Sequence, residues 1–130
     1  MLAATVAAAM LLTQSAQQFD LFCNEVVEQG GDYLETTAES STIRLRVDLE
    51  RRVWCASVCE AIQPIHSFDS NEIIFQDYES EHLAVYRRVS RLTGGYSVVI
   101  TTDINGDKGW NRSAGNCQRM PFTGIPQARF

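Results

Sequence analysis

The stretch TIRLRVDL, residues 42–49, alternates polar and apolar side chains at every position. Successive side chains of a β-strand point to opposite faces, so a period of two residues indicates a strand. The apolar set that shares one face consists of Ile43, Leu45, Val47 and Leu49. The stretch therefore predicts a strand with one buried and one solvated face.

Similar patterns predict strands on both sides of this stretch. Phe19, Leu21 and Cys23 share a face, which puts the first cysteine on the core side of a strand. Further strands are predicted at Glu72–Asp77, Leu83–Arg91, Tyr96–Thr102 and Trp110–Met120. Turns are predicted at Gly30-Gly31-Asp32, at Thr93-Gly94-Gly95 and at Asn105-Gly106, because these residues accept the backbone angles of tight connections.

Helix signals are scarce. The best candidate is Ser57–Ile62, which would form one or two turns beside a pair of cysteines. Short strands at this spacing predict an all-β fold: a small antiparallel barrel or sandwich of about six to eight strands, with at most one short helix. The aromatic residues expected in its core or lining are Phe19, Phe22, Trp54, Phe75, Tyr86, Tyr96 and Trp110.

The first 18 residues differ in composition from the rest of the chain. They contain no charged side chain, and Leu2–Leu12 is an apolar run. A membrane-spanning helix needs about 20 apolar residues, whereas this shorter run fits the core of a secretory signal. We therefore expect a cleaved signal peptide over residues 1–18 and a single domain over residues 19–130. The domain is expected to be periplasmic or secreted, with no membrane span after the signal is removed. A buried N-terminal helix is the alternative.

Four cysteines agree with export: Cys23, Cys55, Cys59 and Cys117. An even number of cysteines in a short exported chain indicates disulfides. Of the three possible connectivities we favour Cys23–Cys117, which joins the two ends of the domain, and the local pair Cys55–Cys59. A zinc site is the competing use, but zinc ligands usually come as two close pairs. We expect no metal and no cofactor.

The charge is unevenly distributed along the chain. Residues 1–82 hold 14 acidic side chains against four basic ones, and residues 83–130 hold two against seven. An acidic chain is a poor partner for nucleic acid, whose phosphates repel it. We expect neighbouring strands to carry complementary charges. The alternative is a basic patch of Arg87, Arg88 and Arg91 that meets an anionic partner.

The segment Asp103–Gly109 has oxygen-bearing side chains at the first, third and fifth positions of a calcium loop. Lys108 stands where the sharp turn needs glycine, and Ala114 stands where the closing acid belongs. A polar β-turn accounts for the same residues. We therefore expect no calcium site here.

Side chains for acid–base catalysis are few. His66 lies three residues before Asp69, and His82 lies beside Glu79 and Glu81. These spacings allow a carboxylate–histidine site of a small secreted hydrolase. Glycine-flanked serine motifs and phosphate-binding glycine loops are absent from the sequence. The sequence therefore contains no motif that identifies a catalytic or cofactor-binding residue.

Several short motifs resemble those of small exported bacterial β-rich proteins with two disulfides. They are Phe19-Asp20-Leu21 before Cys23, Arg46-Val47-Asp48-Leu49 before Trp54-Cys55, Arg91-Leu92-Thr93-Gly94-Gly95-Tyr96, and Cys117 followed by Pro121-Phe122. The resemblance implies a location and a fold, and no functional residue comes with it. The leading hypothesis is an exported, non-enzymatic β-domain that binds an envelope protein, a glycan or a small apolar ligand. The alternatives are the hydrolase and a purely structural envelope component.

Overall fold

A computed structural model describes residues 16–127 as one antiparallel sheet, with no helix among them. The strands are β1 (Gln18–Gly31), β2 (Leu34–Asp48), β3 (Val53–Ala56), β4 (Gln63–Pro64), β5 (Ser67–Phe68), β6 (Glu72–Glu79), β7 (Leu83–Ser90), β8 (Gly95–Ile104) and β9 (Asp107–Met120). Their spatial order is β4-β3-β2-β1-β9-β8-β7-β6-β5. The prediction of a small all-β antiparallel fold is confirmed. The strand number is higher because β4 and β5 are two-residue strands.

The sheet curls into a half-barrel, and a short segment joins its two edges. The edge strands β4 and β5 are separated by only two residues in the chain. Ile65 N–H donates to the Arg52 carbonyl beside β3, and His66 N–H donates to the Phe75 carbonyl in β6. Gln63–Phe68 therefore bridges the two edges of the sheet.

The hydrophobic core occupies only one end of the long strands, here named the closed end. In β1 and β2 this end comprises Phe19–Cys23 and Ile43–Val47, which pair with each other. The buried apolar residues are Phe19, Leu21, Cys23, Leu45, Val47, Leu49, Trp54, Ile65, Ile73, Phe75, Val89, Tyr96 and Val98. The remaining parts of the two strands, Asn24–Gly31 and Leu34–Thr42, form the open end. Every residue of Leu34–Thr42 is exposed.

Two disulfides hold the closed end, in the pairing that the sequence predicts. Cys23 and Cys117 lie directly opposite each other on β1 and β9 and are bonded. Cys55, buried in β3 on the face opposite the core residue Trp54, is bonded to Cys59 in the following turn. The first bridge joins residues 94 apart in sequence. It therefore ties the first strand of the domain to the last.

The predicted helix at Ser57–Ile62 is wrong, because the segment is an irregular turn. Ser57 and Cys59 have positive φ angles of 54° and 60°, which a right-handed helix does not contain. Cys59 N–H donates to the Ala56 carbonyl, closing a tight turn. The local disulfide and these backbone angles override the helix propensity of the sequence.

Part of the aromatic prediction is also wrong. Phe19, Trp54, Phe75 and Tyr96 are buried, as expected. Three others lie on the outer, convex face of the sheet, where they are only partly covered: Phe22, Tyr86 and Trp110. Trp110 lies over Gly30, where a Cβ atom would come within 2.8 Å of the indole ring. A strand with two partly solvated faces does not confine its aromatic residues to one of them.

The predicted signal peptide falls almost entirely outside the described residues. Within residues 16–127, no helix is long and apolar enough to cross a membrane. The first described residues already contact the rest of the fold, because the Gln17 carbonyl accepts a hydrogen bond from Leu49 N–H. Strand β1 then begins at Gln18, one residue before the predicted domain boundary.

Candidate functional site

The two histidines do not come together. His66 lies in the segment that bridges the sheet edges and lines a depression with Phe75 and Tyr78. His82 lines a different depression, at the β6–β7 turn, together with Glu79 and Glu81. His82 is exposed, lies 4.0 Å from Glu81, and its Nδ1 is 2.9 Å from the Asp103 carbonyl.

Asp69, which also belongs to the hydrolase hypothesis, stabilises a turn. Its Oδ1 accepts hydrogen bonds from Asn71 N–H at 2.7 Å and from Glu72 N–H at 2.9 Å. These bonds, with the nearby charge of Arg91, hold the pKa of the Asp69 carboxyl below its ordinary value. The hydrolase candidates are therefore spread over separate places, and no specific observation favours that hypothesis.

The calcium-like segment is the β8–β9 hairpin turn. Asn105 and Gly106 have positive φ angles of 56° and 82°, as a two-residue hairpin connection requires. Asp103 Oδ1 accepts the Gly106 N–H at 3.1 Å, so this carboxylate stabilises the turn. Within residues 16–127, no group of three or more histidine, cysteine, aspartate or glutamate side chains is arranged to hold a metal.

A cavity of about 250 Å³ opens at the closed end, between β1, β9 and the β7–β8 turn. Its apolar walls come from the core residues Phe19, Leu21, Ile73 and Val89 and from the Cys117 half of the long disulfide. Its rim is polar and consists of Ser90, Arg91, Thr93, Gly94 and Arg119. It is more enclosed than the depressions beside the histidines. A concave apolar site with a few convergent polar groups is the usual form of a small-molecule site.

Gly94 sets the shape of the rim. It has a φ angle of 78°, and its carbonyl accepts the Cys117 N–H at 2.8 Å. A Cβ atom at this position would lie 2.7 Å from the Cys117 carbonyl oxygen. Glycine thus allows the β7–β8 turn to approach β9 closely, at the residue that the disulfide fixes to β1. The rim is therefore built on the most constrained part of the sheet.

Two hydroxyl groups of the rim accept hydrogen bonds that stabilise the turn, and their own hydrogen atoms are available for donation. Ser90 Oγ accepts from Leu92 N–H and Thr93 N–H, at 3.3 and 3.1 Å. Thr93 Oγ1 accepts from Gly95 N–H at 3.1 Å. A hydroxyl group can donate one hydrogen bond while it accepts others. Ser90 and Thr93 can therefore each donate to an anionic ligand.

Two arginines flank the cavity, Arg91 from the β7–β8 turn and Arg119 from β9. Arg91 Nη1 donates to the Asp69 carbonyl at 2.8 Å. Arg119 Nη2 donates to the Ala16 carbonyl at 3.2 Å, and its guanidinium lies 4.8 Å from the centre of the Phe19 ring. Among residues 16–127, neither guanidinium forms an ion pair with a carboxylate. Arg91 is held by the Asp69 carbonyl and also lies near the Asp69 carboxylate, whose pKa it lowers. The carbonyl that Arg119 contacts belongs to the predicted signal segment, so in the mature domain this guanidinium has only the Phe19 ring as a described neighbour.

The basic patch considered from the sequence does not form as such, because Arg87, Arg88 and Arg91 point to different places. Arg88 pairs with Glu72 on the neighbouring strand at 3.1 Å, which is one instance of the expected charge complementarity. Arg87 lies on the inner face, so only Arg91 reaches the cavity. The second arginine beside the cavity, Arg119, is 28 residues further along the sequence and is not part of a motif. Only the pairing of β1 with β9 brings it to the site.

Arg87 belongs to a polar network that seals the core. Its Nε donates to Gln76 Oε1 at 2.9 Å, its Nη1 donates to the Tyr96 hydroxyl, and its guanidinium lies 5.4 Å from the centre of the Trp54 ring. Burial raises the pKa of the Tyr96 hydroxyl, an effect that the positive charge of Arg87 opposes. All these contacts are internal. The network therefore has a structural role, and the cavity flanked by Arg91 and Arg119 is the better candidate site.

Comparison with known proteins does not identify the site. The chain matches no protein-family model, no curated protein and no solved structure. The chemistry of the cavity itself is therefore the basis for a function.

Proposed function

We propose that this protein is an exported binding domain for a small amphipathic anion, a carboxylate with a short apolar tail. The observation that carries the proposal is the cavity at the closed end, where apolar walls meet two arginines that form no close ion pair with any carboxylate of residues 16–127. The tail would lie against Phe19, Leu21 and Val89, and the carboxylate would face the rim. This narrows the small apolar ligand expected from the sequence to one that also carries a negative charge.

The electrostatics of the rim favour an anion over a neutral or cationic ligand. Guanidinium groups bind carboxylates through charge-assisted hydrogen bonds, which are about twice as strong as neutral ones. The rim residues of the cavity include no acidic side chain. Desolvation of the ligand's carboxylate would be offset by Arg91, Arg119 and the hydroxyl groups of Ser90 and Thr93.

The size of the cavity limits the ligand. Sites for drug-sized molecules enclose about 300–1,000 Å³, and this cavity holds about 250 Å³. A long-chain fatty acid would therefore extend into solvent. We expect a medium-length alkyl or aromatic carboxylate to fit best.

Export is part of the proposal and is supported by the disulfides. Both pairs of cysteines are oxidised, and such bonds form and persist in oxidising compartments outside the cytoplasm. The apolar run Leu2–Leu12 supports the same location from the sequence. Expression with this segment in a Gram-negative host, followed by intact mass of the periplasmic protein, tests it. A retained Met1 would contradict the proposal of a cleaved signal.

Isothermal titration calorimetry with octanoate tests the binding proposal. Octanol and octylamine serve as neutral and cationic ligands of the same tail length. We expect octanoate to bind with one site per chain and more tightly than either of the others. Arg91→Gln and Arg119→Gln should each weaken octanoate binding about ten-fold, the loss of one charge-assisted hydrogen bond.

Arg112→Gln is the matched control. Arg112 is also an exposed arginine stacked on an aromatic ring, at 4.7 Å from the Trp110 ring, but it lies on the convex face away from the cavity. Its replacement should leave octanoate binding unchanged. Equal binding of octanol and octanoate, or an equal loss with Arg112→Gln, would contradict an anion site at this rim.

A further inference from the structure

The open end of β2 presents a long unpaired strand edge. On one side, Leu34–Thr42 pairs with β1. On the other side, β3 pairs only with Leu45–Asp48, so no described strand covers the preceding part of β2. All nine residues of Leu34–Thr42 are exposed. An uncovered strand edge is a template for pairing with another chain.

The backbone groups that face outward can be assigned. The Arg44 carbonyl accepts the Ser57 N–H, so the backbone polar groups of Arg44 point away from β1. In an antiparallel ladder these groups alternate in direction along the strand. The register between β1 and β2 is regular from Thr37 onward. The N–H and C=O groups of Ala38, Ser40 and Thr42 therefore point to the free edge.

This edge carries few of the features that usually prevent pairing. Natural edge strands are protected by charged side chains, above all lysine, by proline, by bulges or by short length. Leu34–Thr42 contains no proline, lysine or arginine, and its only charged residues are Glu35 and Glu39. The other side chains are Leu34 and small serine, threonine and alanine residues, which leave room for a neighbouring strand.

We propose that the partner of this edge is the same edge of a second copy of the chain, paired antiparallel about a two-fold axis at Ala38. This register places Glu39 opposite Thr37 and Glu35 opposite Ser41, so no like charges face each other. Sliding the strands by two residues in either direction places Glu39 opposite the second copy's Glu39 or Glu35. Like charges directly opposite are destabilising, so among the registers within two residues the charges favour the one centred on Ala38.

The proposed dimer leaves the ligand cavity free. The cavity walls Phe19 and Leu21 pair with Val47 and Leu45, whereas the free edge pairs with the far end of β1. The two sites lie at opposite ends of the same strands. The dimer can therefore be tested independently of ligand binding.

Sedimentation velocity of the oxidised protein over a concentration series tests the dimer. We expect a reversible monomer–dimer equilibrium. Thr37→Glu places two glutamates opposite Glu39 across the interface and should weaken the dimer roughly ten-fold, since two symmetric like-charge pairs arise. Thr37→Lys at the same exposed position is the matched control and should strengthen it. Glu39→Lys added to Thr37→Glu should restore it.

Ala38→Pro removes an outward N–H without removing a hydrogen bond to β1 and should also abolish pairing. Circular dichroism checks that each variant is folded. A protein that stays monomeric up to millimolar concentration would overturn the proposal. A dimer equally stable in Thr37→Glu, Thr37→Lys and Ala38→Pro would overturn it as well, because the interface would then lie elsewhere.

Discussion

The closed and open ends of the sheet use the same two long strands and differ in what covers them. At the closed end, β1 and β2 place Leu21 and Leu45 in a core that the bridging segment Gln63–Phe68 encloses. At the open end, the same strands expose Val26 and Leu34. Hydrogen bonding between β1 and β2 continues across both ends. Backbone pairing therefore sets the length of these strands, and burial sets where the core and the proposed ligand site lie.

The largest expected effect concerns the bond at the boundary between the two ends. Replacing Cys23 and Cys117 by alanine should lower the free energy of unfolding by about 4–5 kcal/mol, because the unfolded chain loses a constraint on a loop of about 95 residues. The Cys55→Ala, Cys59→Ala variant opens a loop of only a few residues and should lose about 2 kcal/mol. Urea denaturation of both variants measures the difference. Equal losses would show that the long bridge does not hold the domain together.

A pair of leucines on β2 compares the two ends directly. Leu45 is fully buried, and Leu34 is 64% exposed. Leu45→Ala should destabilise the domain by about 2–5 kcal/mol, since it leaves a cavity in the core. Leu34→Ala should change the stability by less than about 0.5 kcal/mol. Thermal and urea denaturation check both values, and a comparable loss in Leu34→Ala would contradict an uncovered open end.

The C-terminal segment gives the closed end a further cover on its convex face. Thr123 donates to the buried carboxylate of Asp20 through its N–H at 3.2 Å and its hydroxyl at 2.6 Å. Thr123→Val removes the hydroxyl bond and should lower the free energy of unfolding by about 1–2 kcal/mol. Thr101→Val, on an exposed part of β8, is the control and should have little effect. Similar stability of both variants would show that the segment does not hold the fold.

The smallest effect concerns acid. The folded-state pKa of Asp69 is lowered, so its stabilising contribution is present above the unfolded pKa and is lost as the pH falls through the folded pKa. NMR titration of the Asp69 carboxyl should give a pKa below its ordinary value. Arg91→Ala should raise it only slightly, because the backbone N–H groups of Asn71 and Glu72 are the larger causes. An ordinary pKa in the wild type would contradict the hydrogen bonding of the β5–β6 turn.

The sequence predicted those features that depend on local periodicity or on glycine. The alternation at Ile43–Leu49 identified the buried part of β2, and Gly94 and Asn105-Gly106 identified two hairpins. The same approach missed the open end, because Leu34–Thr42 has no buried face and hence no apolar alternation. It also misassigned Ser57–Ile62, where a four-residue disulfide spacing resembles a helical turn.

The candidate site was harder to predict than the fold. Its walls are ordinary core residues, and its charges come from Arg91 in the β7–β8 turn and Arg119 on β9. Arg91 belongs to a motif that implies only a fold, and Arg119 belongs to none, whereas the two histidines that first suggested chemistry are separated in the structure. Strand order decides which residues meet, and strand order depends on non-local pairing that the sequence pattern does not specify.

The central claim is that the closed end binds a small amphipathic anion while the open end does not. Titration of the ¹⁵N-labelled protein with octanoate, followed by amide chemical shifts, tests it most directly. We predict saturable shifts at Ser90–Gly94 and at Cys117–Arg119, with the amides of Leu34–Thr42 unchanged. Shifts at the open end, or no saturable shift around the cavity, would contradict the account.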